Sequence, residues 1–176
     1  MSIAALPDGS AQLLLSYGTD GAMYHCARGW DGAWTAWGRL AGYDGAPTFS
    51  GPALAITGMA DGSSQVLAIG LDGMVYQQQL WRPDGSWTGF RPPRGVTTAT
   101  MGASAIGIAG TPDGAAHVVA VGLDGRIWYD VRRPDGSWTP FSRIPCPNGR
   151  DPFPAGQVRI TALRDGSTHV TAISAG

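Results

Sequence analysis

The heptapeptide RPDGSWT occupies Arg82–Thr88 and occurs again, unchanged, at Arg133–Thr139. A third Asp-Gly pair, at Asp31, precedes the related stretch AWTAW. Catalytic motifs do not usually occur as identical pairs within one chain, whereas structural units do. The duplication therefore indicates a repeated supersecondary unit, and its length decides which fold the chain adopts.

Three Asp-Gly pairs mark each copy of a longer repeat of about 52 residues. They begin at Asp8, Asp61, Asp113 and Asp165 for the first pair, at Asp20, Asp72 and Asp124 for the second, and at Asp31, Asp84 and Asp135 for the third. Periods of this size are typical of propellers and other arrays. The sequence predicts one propeller-type repeat domain over 1–176, with repeats at about 1–53, 54–104 and 105–157 and a partial copy at 158–176.

Each repeat predicts four short strands, read in the first copy as SIAAL, QLLLSY, AMYHCA and AWTAW. Asp-Gly between apolar runs is a strong hairpin signal, because both residues tolerate positive φ. The second strands are apolar at successive positions, so both faces of each sheet must be covered. These features predict an all-β propeller segment of three four-stranded blades and a two-stranded half blade. The alternative is a β-trefoil, which is complete at three repeats and leaves 158–176 without a role.

Composition and charge exclude several classes of protein. The formal net charge is −1, which gives no general attraction to nucleic acid. No apolar run approaches 18 residues, so no membrane span is expected. The start MSIAALPDGS has neither a basic nor a long apolar region, which predicts a cytoplasmic protein or one released without a classical signal. Cys26 and Cys146 have no metal-ligand spacing and are interpreted as reduced thiols, with a single disulfide as the alternative.

The polar residues of the sequence give little indication of catalysis, metal binding or cofactor binding. Eleven of the thirteen Asp residues lie in Asp-Gly turns, which leaves Asp130 and Asp151 for an acid–base pair. His117 and His169 occupy the position that holds Gln in the other copies, so neither is expected to be a base or a metal ligand. No Ser-His-Asp set and no phosphate loop is apparent. We therefore expect no enzyme activity, no metal and no cofactor.

Two long stretches resemble blades of the bacterial fucose-binding, seven-bladed propeller lectins. They are DGSSQVLAIGLDGMVYQQQLWRPDGSWTGF at 61–90 and TDGAMYHCARGWDGAWTAWGRLAG at 19–42. The tachylectin-2 and tectonin propellers are more distantly similar and are built from repeats of the same kind. The resemblance covers nearly the whole chain. It implies sugar pockets between adjacent blades, where an aromatic ring stacks on the apolar face of the sugar.

The positions of this chain that match the stacking aromatics of that family hold aromatic residues at the same place in each full repeat. They are Trp34, Trp87 and Trp138 on the outer strands, and Tyr24, Tyr76 and Trp128 on the third strands. Packing between neighbouring blades is the alternative role of the outer-strand tryptophans. Trp30 and Trp81 do not recur and fall in the loop before the outer strand, which predicts an exposed ligand or subunit contact. The polar neighbours His25, Gln77 and Tyr129 differ from copy to copy, so one ligand contact repeated in every blade is not expected.

The sequence predicts a carbohydrate-binding lectin with shallow inter-blade sites of fucose or galactose type. The alternative is a non-catalytic propeller scaffold for protein–protein interaction or assembly. Closed propellers have four to eight blades, and Thr168–Ser174 would form an open apolar edge. We therefore expect a homo-oligomer, most simply a dimer formed by edge pairing or by joining two partial rings, unless the chain is a piece of a longer array.

Overall fold

A computed structural model describes residues 1–17, 21–42, 49–81, 85–91, 101–145 and 155–174, except the side chain of Trp81. These residues form four antiparallel sheets and no helix. The first sheet holds β1 (Ser2–Ala5), β2 (Ala11–Tyr17), β3 (Ala22–Arg28) and β4 (Gly38–Arg39). The second holds β5 (Ala53–Gly58), β6 (Ser64–Ile69), β7 (Val75–Trp81) and β8 (Ser86–Trp87).

The third and fourth sheets continue the same pattern. The third holds β9 (Ala103–Gly110), β10 (Ala116–Gly122), β11 (Ile127–Arg132) and β12 (Ser142–Arg143), and the fourth holds β13 (Ala155–Ala162) and β14 (Thr168–Ser174). Within every sheet the strands pair in chain order. The predicted all-β propeller segment, with three four-stranded blades and a two-stranded half blade, is therefore confirmed. The β-trefoil alternative is wrong, because each repeat forms its own sheet.

The sheets pack face to face in chain order, and each sheet therefore has two different faces. We call the face turned to the preceding sheet the upstream face, and the opposite one the downstream face. Between the first and second sheets, which we call the first interface, Leu14 and Met23 pack against Ile56 and Val66. All four side chains are buried, which places an apolar core between blades as the successive apolar positions predict.

The other two interfaces repeat this packing. At the second interface, Leu67 of the second sheet packs in one cluster with Ile108 and Val118 of the third. At the third interface, Val119 packs with Val158 of the fourth sheet. Every residue of β6 is buried, so a second strand between two neighbouring sheets is covered on both of its faces.

The outer strands of the first and third sheets differ in detail from the prediction, whereas β8 of the second sheet lies on the Trp-Thr stretch as predicted. Trp34 and Trp138 make only single bridges to the third strand, and regular pairing resumes at Gly38–Arg39 and Ser142–Arg143. The threonine after each tryptophan explains the interruption. The hydroxyl of Thr35 accepts the N–H of Ala27 at 2.9 Å, and that of Thr139 accepts the N–H of Val131 at 2.9 Å. A side chain thus accepts a hydrogen bond that a strand carbonyl would otherwise accept.

The Asp-Gly pairs form tight turns, as predicted. At the turn between the second and third strands, the carboxylates of Asp72 and Asp124 each accept the N–H two residues later, at 3.0 Å. The glycines that follow, Gly73 and Gly125, have φ of 77° and 74°. Asp20 lies outside the described residues, and its neighbour Gly21 has φ of 63°. Positive φ disfavours side chains with a Cβ, so glycine is the residue that suits this position.

Replacing Gly73 with valine should lower the free energy of unfolding by about 1–3 kcal/mol. A Cβ at Gly73 meets no atom within 4 Å, so the cost comes from the backbone conformation alone. Asparagine tolerates this conformation better, and Gly73→Asn should therefore cost less. Urea unfolding followed by circular dichroism compares the two variants. Equal stability of Gly73→Val and the parent chain would contradict the turn assignment.

Candidate functional site

A hydrogen-bonded pair of polar side chains recurs on the downstream face of the first three sheets. One member lies on the second strand and the other on the third. The pairs are Gln12–His25 at 2.5 Å, Gln65–Gln77 at 2.6 Å, and His117–Tyr129. Each pair joins diagonal neighbours on adjacent strands, where side chains on one face of a sheet lie within reach of each other. Polar groups therefore face the next sheet at the same place in every blade.

At the first interface this pair contacts an aromatic ring of the next sheet. The rings of His25 and Trp87 meet edge to face, with centroids 5.0 Å apart. Trp87 is half-buried, so part of its indole remains open to solvent. Burial lowers the pKa of His25, which favours a neutral imidazole that can both donate and accept a hydrogen bond. The first interface thus combines an aromatic surface with uncharged hydrogen-bonding groups.

The second interface has a richer set of donors. Gln77 exchanges two main-chain hydrogen bonds with Arg91, at 2.7 and 2.8 Å. Directly paired residues point to the same face, so the Arg91 side chain lies on the face that carries Gln77. The Nε2 atom of Gln65 is buried and has no protein partner. Trp138 packs in the same interface and is 8% exposed, which leaves only a narrow part of its ring accessible.

The third interface holds the polar pair without the tryptophan. His117 and Tyr129 face the fourth sheet, which consists of β13 and β14 in the described part of the chain. Burial lowers the pKa of His117, although the nearby carboxylate of Asp113 opposes this effect. Burial raises the pKa of Tyr129, and a hydrogen bond with Thr168 opposes it. Among the described residues, this interface therefore presents neutral polar groups without an outer-strand aromatic ring.

The third-strand aromatics lie on the upstream faces, opposite to the polar pairs. Tyr24 accepts a hydrogen bond from Nε of Arg39 at 3.1 Å, and the guanidinium lies 5.5 Å from the ring centroid. Tyr76 donates to Asp72 at 2.5 Å, and Trp128 donates to Asp124 at 3.3 Å. The last two rings are thus fixed by the turn that precedes their strand.

The structure places the predicted aromatic residues in different environments. Trp87 and Tyr76 pack at the first interface, and Trp138 packs at the second. Trp34 lies on the upstream face of the first sheet and is 54% exposed, while Trp30 is 78% exposed. The Trp81 side chain lies outside the described residues. The structure brings Trp87 to His25 of the preceding sheet.

The polar pairs were not predicted from the sequence. The second-strand position accepts Gln or His and the third-strand position varies, and the residue types alone do not connect the two positions. The separation of 12 or 13 residues across one hairpin is the signal that could have connected them. The residue types vary, while the hydrogen bond between the two strands persists.

Two concave regions lie away from these interfaces. One, of about 430 Å³, is lined by the first strands of all four sheets and includes Ser2, Ser104 and Arg159. The other, of about 280 Å³, is lined by the turns that follow the first strands, including Pro7 and Arg164. Neither contains a predicted stacking aromatic. The predicted sites are therefore separate from the region around the first strands.

The remaining titratable groups do not form a catalytic or metal cluster in the described part of the chain. Burial raises the pKa of Asp130, while hydrogen bonds from Thr139 and the Val131 N–H oppose this shift. Asp151 and Cys146 lie outside the described residues. Cys26 is a buried free thiol. Among the described residues, no group of three or more His, Cys, Asp or Glu is placed to hold a metal ion. The same residues include no helix long and apolar enough to cross a membrane.

These sheets and interfaces define a propeller-type β-protein, and solved structures share its fold. A lectin of Burkholderia pseudomallei, BP39L, is 19% identical with a TM-score of 0.68, over 98% of this chain and 52% of its own. AofleA from Arthrobotrys oligospora is 14% identical with a TM-score of 0.65, over 98% of this chain and 49% of its own. The fucose-specific lectin from Aleuria aurantia is 15% identical with a TM-score of 0.62, over 92% of this chain and 47% of its own.

The chain thus spans about half the length of these three proteins, whose fold it shares. Neither a scan against protein-family models nor a search of curated proteins found a match. At sequence identities this low, the structural similarity shows only the fold of the chain. Any function must be argued from the side chains at the interfaces.

Proposed function

We propose that the chain is a non-catalytic carbohydrate-binding protein, with shallow sites for fucose-type sugars at its first and second interfaces. The observation that carries the proposal is the contact between Trp87 and the Gln12–His25 pair of the neighbouring sheet. A half-buried indole beside uncharged hydrogen-bonding groups is the chemistry that a sugar needs. The fold shared with a fucose-specific lectin supports the fucose-type ligand.

In this proposal each sugar makes two kinds of contact. Its apolar face stacks on the exposed part of the indole, and its hydroxyls exchange hydrogen bonds with the polar pair. At the first interface these groups are Trp87 and His25. At the second they are Gln77 and Arg91, a charged donor on the same face, beside the narrow accessible part of the Trp138 ring. A shallow site of this kind binds weakly, and several sites on one molecule raise the avidity for a branched glycan.

A scaffold that binds protein is the second candidate function, and one observation favours it. Three tryptophans of the first sheet region are strongly exposed: Trp30 at 78%, Trp34 at 54% and Trp37 at 48%. Tryptophan is enriched at the energetic centres of protein interfaces. This surface can serve assembly without any role in sugar binding, so the two functions are compatible.

Titration with α-methyl-L-fucoside, followed by tryptophan fluorescence, tests the proposed function. We expect saturable binding with a dissociation constant of about 0.1–1 mM, as suits a small ligand in a shallow site. Methyl galactoside and methyl mannoside at the same concentrations provide the comparison. No saturable response to any of the three sugars, together with a blank glycan array, would contradict carbohydrate binding.

A further inference from the structure

The outer strand of each four-stranded sheet has one residue paired directly with the third-strand member of the polar pair. The three pairs are Gly38 with His25, Arg91 with Gln77, and Ser142 with Tyr129. Directly paired residues share a face of the sheet, so these outer-strand residues lie beside the polar pairs. Of the three positions, only that of the second sheet holds a charged side chain. The second interface therefore differs from the first in charge.

A second arginine reaches this interface from the opposite side. Arg143 pairs directly with Trp128, which lies on the upstream face of the third sheet, so Arg143 faces the second sheet. Trp128 is the counterpart of Tyr76, which precedes Gln77 in β7. Arg91 and Arg143 therefore lie at adjacent levels of facing sheets. The outer edge of the second interface carries positive charge from both sides.

The carboxylates near this edge do not compensate the charge of Arg91. Within the described part of the chain, the exposed Arg91 guanidinium forms no ion pair with a carboxylate. Asp124 pairs instead with Arg126, at 3.1 Å. Asp130 is buried and accepts a hydrogen bond from the Thr139 hydroxyl at 2.6 Å. An exposed guanidinium without an opposing carboxylate favours an anionic group on a ligand.

We propose that the second interface binds a sugar that carries a carboxylate more tightly than the neutral sugar of the same shape, whereas the first interface does not distinguish the two. This inference rests on the proposed function, in which the sugar lies beside Gln77 and the accessible edge of Trp138. The sugar carboxylate pairs with Arg91, because a guanidinium donates two parallel hydrogen bonds to a carboxylate. Arg143 adds positive charge from the facing sheet. At the first interface Gly38 takes the position of Arg91 and supplies no charge.

A matched pair of sugars tests this preference. Methyl galacturonide differs from methyl galactoside only in a carboxylate that replaces the primary alcohol. Nuclear magnetic resonance follows the indole N–H signals of Trp87 and Trp138 during each titration, which separates the two interfaces. We expect the galacturonide to bind about three- to fivefold more tightly at the second interface, as suits an exposed ion pair, and equally at the first. Raising the salt concentration from about 20 mM to about 500 mM should remove most of this preference.

Substitutions at the equivalent positions of the two sheets assign the preference to Arg91. Arg91→Ser introduces the residue of the third sheet and should remove the preference at the second interface. Gly38→Arg should create a preference at the first interface, and a Cβ at Gly38 meets no atom within 4 Å, so the side chain fits. Arg164→Ser is the matched control, since it removes a positive charge from an exposed turn and should leave both affinity ratios unchanged. Circular dichroism melting checks that every variant folds.

The outcomes separate this inference from the proposed function. Saturable binding of both sugars with equal affinity at the second interface would overturn the inference and leave the proposed function intact. A preference that persists in Arg91→Ser would overturn it as well. Sodium acetate that shifts the Trp138 signal as strongly as the galacturonide would show a general anion site, and would also overturn it. Binding of neither sugar, nor of α-methyl-L-fucoside, would contradict the proposed function and the inference with it.

Discussion

Replacing Gly58 with valine should lower the free energy of unfolding by about 3 kcal/mol or more. Gly58 ends β5, where the inner strands of adjacent sheets approach closely. A Cβ at Gly58 would lie 2.1 Å from the carbonyl oxygen of Ala5 in the first sheet. Gly110 repeats the contact, since its Cβ would lie 2.6 Å from the carbonyl oxygen of Gly58. Neither backbone can move away without opening the apolar cluster between the sheets.

Gly38→Val is the matched control for this prediction. Gly38 lies in β4, and a Cβ there meets no atom within 4 Å. Its replacement should change the free energy of unfolding by less than about 0.5 kcal/mol. Chemical unfolding followed by tryptophan fluorescence measures both variants. Equal stability of Gly58→Val and Gly38→Val would show that the sheets do not approach each other as described.

Replacing Trp87 with alanine should weaken sugar binding at the first interface at least tenfold, which removes it from the measurable range. The indole supplies the stacking surface, and the His25 ring loses its edge-to-face neighbour at the same time. Binding at the second interface should persist, because Gln77 and Arg91 lie on the opposite face of the second sheet from Trp87, and Trp138 lies in the third sheet. The binding stoichiometry, measured by calorimetric titration with α-methyl-L-fucoside, should therefore fall from two sites per chain to one.

The control for this variant is Trp30→Ala. Trp30 is 78% exposed and contributes to neither proposed site, so two sites per chain should remain. Removal of all binding by Trp87→Ala in a folded protein would contradict independent sites. Unchanged stoichiometry with Trp87→Ala would exclude the first interface as a site.

The turn chemistry made most of the fold predictable from the sequence. Asp-Gly pairs at a fixed spacing locate hairpins, because Gly73 and its counterparts require positive φ. Apolar residues at successive positions of the second strands predict sheets covered on both faces, and β6 is buried throughout. Both signals are local, so a single sequence contains them in full.

The position of the outer strands was harder to predict. The pattern places them on the Trp-Thr stretches, where β8 lies, but in the first and third sheets the Thr35 and Thr139 hydroxyls accept main-chain N–H groups and regular pairing begins later. The solvent exposure of the aromatic side chains could not be predicted from the repeat pattern either. Trp34 and Trp138 occupy the same position of the repeat, yet one is 54% exposed and the other 8%. The difference depends on the presence of a preceding sheet, which the residue's own repeat does not encode.

Nuclear magnetic resonance of the indole N–H groups, during titration with α-methyl-L-fucoside, tests the central claim most directly. The chain has seven tryptophans, so the signals are few enough to assign by substitution. Binding at the interfaces predicts saturable shifts of the Trp87 and Trp138 signals, with the Trp30 signal unchanged. Shifts confined to main-chain groups around Ser104 and Arg159, with Trp87 unaffected, would place the sugar among the first strands and contradict the account.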